Sequence, residues 1–244
     1  MMAPRLPWGR AASALSEEEL LARVLYRDGL MLVIDKPAGL PVHPGPGGGP
    51  TLEHGLGALR FGLPWPPALA HRLDRDTSGC LVLGRHRQAL ARLGRLFAAG
   101  RVDKRYLAVV AGEPPESAGR IELSLAKRSA ERGWWMKVDP RGQRAVTEYE
   151  VRARAAGRTV LELRPLTGRT HQLRVHLAAI GCPILGDRVY GGERERDGGP
   201  LQLHAHAVAV PLYPRRPPIE VRAPLPPHMA DVAELGLEQL GGSR

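Results

Sequence analysis

Residues 70–80 read AHRLDRDTSGC, with the apolar runs PPALA at 66–70 and CLVLG at 80–84 on either side. CLVLG is short, continuously apolar and ends at Arg85, the pattern of a buried strand. His71, Arg72 and Arg75 therefore crowd Asp74 and Asp76 at the mouth of a buried strand. Two readings stay open on this segment alone: a salt-bridged turn that keeps the surface soluble, or a reactive carboxylate held among positive charges. Asp74 and Asp76 are two positions apart, so an extended backbone points them the same way. The flanking arginines favour charged carboxylates. Thr77 and Ser78 read as hydroxyls that bond the backbone of a turn, and TSGC is not the G-x-S-x-G setting of a serine nucleophile.

Outward from this segment, apolar runs alternate with turns marked by Gly and Pro. Upstream, SEEELLARVLY predicts a helix: Ser16 caps it, Glu19 reaches back, and Leu20, Leu21, Val24 and Leu25 form its apolar face. GLMLVIDKPAG predicts a buried strand running into a turn, and LPVHPGPGGGP a loop. Downstream, HRQALARLGRLFAAG predicts a helix with Leu90, Leu93 and Phe97 inward and Gly100 as its stop. KRYLAVVAG predicts a strand with Tyr106, Ala108 and Val110 on one face. IELSLAK, AVTEYEVRA and RTVLELRPL read as further strands, HQLRVHLAAIG as a helix ended by Gly181, and LQLHAHAVAV as the strand that closes the sheet. Strands come in runs, not in regular alternation with helices. This predicts an α+β fold with a large mixed, mostly antiparallel sheet and flanking helices and loops. The expected organisation is an N-terminal extension with a short helix over 1–28, one main domain over 29–225, and a tail over 226–244 with a short helix near MADVAELGLEQL.

Lys and Arg number 35 against 25 Asp and Glu, a net charge of +10 in 244 residues. An excess of this size fits a polyanionic partner, and nucleic acid is the commonest. Cys80 and Cys182 are not in a C-x-x-C pair and sit beside apolar residues, which fits buried thiols in a reducing compartment. No apolar run approaches the roughly 20 residues that span a bilayer, and MMAPRLPWGRAAS lacks the apolar segment of a secretory signal. The expectation is a cytoplasmic protein, not membrane-bound, a monomer with no obligate protein partner.

Metal chemistry is a weak reading. His71, His171, His176, His204 and His206 are the tempting ligands, but His171 and His176 are five apart on the expected helix and do not stack on one face. No metal site is expected. PGPGGGP lacks the Lys-Ser/Thr of a phosphate loop. What remains is carboxylates among arginines. In PLTGRTHQLRVH, Gly168 allows a tight turn and places Arg169 just before a helix N-terminus, where it could hold a distant Asp or a phosphate. Tyr106 in KRY is a third element, otherwise a core aromatic.

Taken together, VIDKPAGLPVHPG, HRLDRDTSG, KRYLAVVAG, LTGRTHQLRVHLAAIGCPILGD and LHAH resemble, in order and spacing, the RluA-type pseudouridine synthases over roughly residues 30–210. The resemblance implies the pseudouridine synthase fold with a central basic cleft, and the isomerisation of uridine to pseudouridine in RNA. It implies that Asp74 is catalytic and Asp76 is not, that Tyr106 contacts the target base, and that Arg169 pairs with Asp74. It implies that Arg72 fills the stack left by a flipped uridine and that Leu203 lines the base pocket. Lys104, Arg105 and Arg174 are the further candidates for RNA contact. The reaction needs neither redox change nor net hydrolysis, so no cofactor is expected. Only about 28 residues precede GLMLVIDKP, fewer than a separate RNA-binding domain needs. Target choice is then expected of the catalytic domain and its loops, HPGPGGGP, PRGQRA and GERERDGG, on a stem-loop of tRNA or large-subunit rRNA. The competing reading is a non-catalytic RNA-binding or folding factor on the same fold.

Overall fold

The run CLVLG forms the middle of a strand whose seven residues, Ser78–Gly84, are all buried. The computed structural model describes residues 15–45, 48–128, 135–155, 157–192 and 199–230. In chain order these form α1 (Glu17–Leu21), β1 (Val24–Arg27), β2 (Met31–Lys36), α2 (Leu52–Gly55), β3 (Ala68–Leu69) and β4 (Ser78–Gly84). There follow α3 (Arg87–Ala98), β5 (Asp103–Ala111), β6 (Ala118–Glu122), β7 (Leu125–Lys127), β8 (Met136–Val138) and β9 (Val146–Ala155). Then come β10 (Arg158–Pro165), α4 (Gln172–Ala179), β11 (Leu203–Val210) and β12 (Ile219–Arg222). The main sheet runs β1-β2-β4-β11-β5-β10-β9-β6, with β3 on β4 and β12 on β11. Its pairings are antiparallel except β4 with β11.

Both faces of the sheet centre are covered, which is why β2 and β4 read as unbroken apolar runs. On one face Leu32, Ile34, Leu81, Leu83, Tyr106, Ala108, Val110, Leu161 and Leu163 pack with Leu173 and Leu177 of α4. On the other, Met31, Val33, Val82, Val208 and Val210 pack with Leu93 and Leu96 of α3. The expected alternation in β5 holds: Tyr106, Ala108 and Val110 face one core while Leu107 and Val109 face another. Cys80 and Cys182 are free and buried. Among the described residues no helix is long and apolar enough to cross a membrane.

Three expectations are corrected. Ser16 and Glu19 do form the capping box, but the helix stops at Leu21. Val24 and Leu25 belong to β1, where VLYR gains ladder bonds along β2 that a short, isolated helix cannot supply. IELSLAK divides between β6 in the main sheet and β7, which pairs β8 in a separate ribbon. LQLHAHAVAV does not close an edge; β11 lies at the sheet centre and joins β4 to β5. The helix expected near MADVAELGLEQL and the GERERDGG turn fall largely outside the described residues.

The parallel junction depends on Gly79. It sits at φ +103°, and a Cβ there would collide with the carbonyl of Ala205 on β11. Gly79→Ala is expected to cost about 2–3 kcal/mol through backbone strain and displacement of β11. Thermal unfolding of the purified variant checks this, with a fall of roughly 4–12 °C for a chain of this size.

Candidate active site

The junction places the carboxylate segment at the mouth of a cleft of about 660 Å³. Asp74 lies on its wall and leads into the turn before β4, whose first bond runs from Thr77 N–H to the Asp74 carbonyl at 3.2 Å. The turn is anchored from below by Lys36, at the end of β2. Its fully buried ammonium donates to the carbonyls of Pro37 (2.7 Å), Leu40 (2.8 Å) and Arg75 (2.9 Å). Burial pushes the Lys36 pKa down to about 7, while Asp76, Asp74 and Asp35 work to raise it. Three N–H donors meet three carbonyls, so the coordination calls for the ammonium form. Asp76 does not share the direction of Asp74. It sits in the turn beside the exposed Arg75 at 3.5 Å and lines no part of the cleft.

The cation beside Asp74 is Arg174, not Arg169. Arg174 Nη1 lies 3.8 Å from Asp74 Oδ2. Arg169 forms no ion pair with Asp74; its Nε donates to the Arg144 carbonyl at 3.2 Å. The reason is the start of α4. Gln172, buried in its first turn, accepts from Arg169 N–H (3.0 Å) and Thr167 Oγ1 (2.7 Å). It also donates to the Val146 carbonyl and to Thr147. This clamp leaves Arg169 outside the helix on the cleft rim and turns residue 174 inward. Arg174 is accordingly corrected as an RNA-facing residue: its side chain is 6% exposed and tied to Asp187 by two bonds of 2.7 and 2.8 Å. Burial lowers the Arg174 pKa, but the Asp187 bonds and the charges of Asp187 and Asp74 raise it overall.

His171, which the sequence singles out only within the weak metal reading, is part of the site. It is the residue before α4, held in the left-handed region at φ 51°, where a non-glycine residue is strained. Its Nε2 lies 3.9 Å from Asp74 Oδ2, and its Nδ1 is 2.8 Å from Tyr190 Oη. Burial lowers its pKa, against the pull of Asp74. The remaining histidines have other tasks. His71 Nε2 accepts from Val82 N–H at 3.0 Å, its ring stacks on Phe97 and burial drops its pKa to about 3. His204 bonds Ser78 Oγ at 2.9 Å and His176 bonds Thr147 Oγ1 at 3.0 Å.

Tyr106 and Leu203 stand on adjacent central strands, 9% and 3% exposed, and both line the cleft. Burial, then the charge of Asp74, raises the Tyr106 pKa, so the phenol keeps its proton. Lys104 lines the cleft two positions before Tyr106, on the same strand face. Arg72, Arg101, Arg164 and Arg169 complete a basic wall. Arg105 projects from the other face of β5, paired with Asp103 (3.3 Å) and Glu162 (3.5 Å), and does not line the cleft.

Chemically, the cleft sets one carboxylate between two basic side chains, beside an aromatic and an aliphatic wall of a size to take a flat ring. Residues 30–179 match the RNA pseudouridylate synthase family model. An RNA pseudouridine synthase described as uncharacterized, from Zymomonas mobilis subsp. mobilis, is 44% identical over 215 residues, covering 87% of this chain and 98% of that protein. The ribosomal large subunit pseudouridine synthase D of Xylella fastidiosa is 38% identical over 226 residues; the match covers 83% of this chain and 66% of that protein. The solved human RNA pseudouridylate synthase domain containing 4 superposes with a TM-score of 0.74 at 29% identity, covering 89% of this chain and 94% of that one. The α+β sheet with its basic cleft is thus a pseudouridine synthase fold, and the competing reading of a non-catalytic RNA factor gives way to an enzyme. The chain belongs to the RNA pseudouridylate synthase family, in its RluA-type branch, and is an RNA uridine isomerase.

Proposed function

We propose that the enzyme isomerises one or a few uridines in a stem-loop of large-subunit rRNA or tRNA. Asp74 is the reacting carboxylate, Arg174 its charge partner, and Tyr106 and Leu203 the walls that hold the uracil. The observation that carries this reading is Asp74 set 3.8 Å from Arg174 in a cleft walled by Tyr106 and Leu203. In the reaction the C1′–N1 bond breaks and a C1′–C5 bond forms. C5 gives up its proton and N1 gains one, so nothing is oxidised and no water is added. A carboxylate close to the sugar and ring is the group such a step needs. The apolar walls keep water from capturing the detached fragments. Extruding the base costs a few kcal/mol, and Arg72 filling the vacated stack, with Lys104 and Arg169 on phosphates, offsets it. A large-subunit rRNA target is supported by the name of the Xylella relative.

The test is to map pseudouridines in total RNA from cells with and without the gene. Loss at one or a few stem-loop uridines, restored by the wild-type gene, supports the reading; an unchanged map overturns it. The basic wall also makes RNA affinity salt-dependent. With about four phosphate contacts, Kd for a target stem-loop is expected to rise by roughly 50- to 150-fold between 50 and 200 mM salt. A filter-binding titration at both salts checks this, and a flat response contradicts the phosphate roles of Lys104 and Arg169.

A further inference from the structure

The segment from Cys182 to Tyr190 lies beyond the residues matched by the family model, yet it supplies the second row of contacts behind Asp74. It is braced against β5, with Leu185 N–H on the Val109 carbonyl and Ile184 bridging Val110. Asp187, 1% exposed, accepts Arg174 Nε on Oδ2 and Arg174 Nη2 on Oδ1. Its Oδ1 also accepts the N–H groups of Val189 (2.9 Å) and Tyr190 (3.0 Å). One edge of the guanidinium is therefore fully committed, and the remaining Nη1 is the atom that faces Asp74.

The distances matter. Arg174 is fork-bonded to Asp187 at 2.7 and 2.8 Å but stands 3.8 Å from Asp74, outside hydrogen-bond range. An unrestrained arginine beside a carboxylate closes into a bidentate pair and occupies both oxygens. Held back, it gives Asp74 a nearby positive charge while leaving its oxygens open to the substrate. Tyr190 does the same for the other neighbour. Its hydroxyl accepts from Met136 N–H at 2.9 Å and meets His171 Nδ1 at 2.8 Å, its ring lies edge-on to His171, and Arg174 stacks on it at 5.1 Å.

We propose that Asp187 and Tyr190 are positioning residues of the isomerisation: they restrain Arg174 and His171 at a fixed stand-off from Asp74, and act on the reaction only through those two side chains. This rests on Asp74 being the reacting carboxylate, and Asp74→Asn judges that reading separately. Asp187→Asn is expected to lower kcat by about 10- to 100-fold with KM for the substrate RNA within about threefold, the size of loss that a misplacement near 1 Å produces. In an Arg174→Met background the same change is expected to cost less than about threefold in single-turnover rate, because the two residues act as one unit. There it also raises the unfolding temperature, because it removes a buried charge left without its partner. Tyr190→Phe, which keeps the ring, is expected to lower kcat by roughly three- to tenfold at unchanged KM. A purely structural role predicts losses that persist undiminished in the Arg174→Met background. That result, or wild-type kcat in Asp187→Asn, overturns the assignment for Asp187. Wild-type kcat in Tyr190→Phe overturns it for Tyr190, and this variant remains decisive if Asp187→Asn does not fold.

Discussion

Asp74→Asn is expected to abolish isomerisation, lowering the single-turnover rate by at least about 10⁴-fold, while the RNA still binds. The amide has the shape of the carboxylate but neither its charge nor its basicity. The fold has little at stake in the exchange: the side chain is 21% exposed and its ionic neighbours stand at 3.8 and 3.9 Å. Binding is expected to stay within about threefold or to tighten, because the change removes a negative charge from a wall of cations that pairs with phosphates. Product is read by a pseudouridine-specific primer-extension stop and binding by filter retention on the same transcript. A variant with more than about a tenth of the wild-type rate would remove Asp74 from the chemistry.

The second large effect separates two arginines that lie five positions apart. Arg174→Met strips the partner from Asp187, whose side chain is 0% exposed. A buried carboxylate left without its cation costs about 3–5 kcal/mol, which lowers the unfolding temperature by roughly 6–20 °C. The rate also falls, because Asp74 loses its nearest positive charge. The ledger is dominated by the 2.7 and 2.8 Å bonds to Asp187, not by the longer approach to Asp74. Arg169→Gln touches neither carboxylate. It is expected to change stability by less than about 0.5 kcal/mol and kcat by less than about threefold, with weaker RNA binding as its main effect. Calorimetry and single-turnover kinetics on the two variants decide between them; a larger kcat loss in Arg169→Gln than in Arg174→Met would restore the pairing first expected from the sequence.

The strands were legible where burial leaves a pattern. β2 and β4 show unbroken apolar runs because both faces are covered, and β5 shows alternation that the two cores confirm. The site was half legible. Asp74, Tyr106 and Leu203 line one cleft, as expected from their motifs. The Arg169 pairing was carried over from the family resemblance onto the first arginine of GRTHQLR, whereas the inward direction is set by the Gln172 clamp, which turns the second arginine, Arg174, toward Asp74. A helical reading of His171 and Arg174, three apart and so neighbours on one face, carried the usable signal. Lys36 was passed over because its partners are backbone carbonyls, which have no residue signature. Asp187 was invisible for a similar reason: it reaches Arg174 across a turn, 13 positions away, with no local period to mark it.

β11 is one of the last strands in the chain, yet it sits in the middle of the sheet, pairing β4 from one half and β5 from the other. Ser78 and His204, bonded across that seam, are 126 positions apart. During synthesis the two halves therefore emerge as separate hairpin sets with no hydrogen-bonded seam between them, and the cleft lacks the side that Leu203 supplies. Such distant pairing slows folding. A chain that ends before β11 is therefore expected to lack both the seam and the Leu203 side of the cleft, and to be inactive.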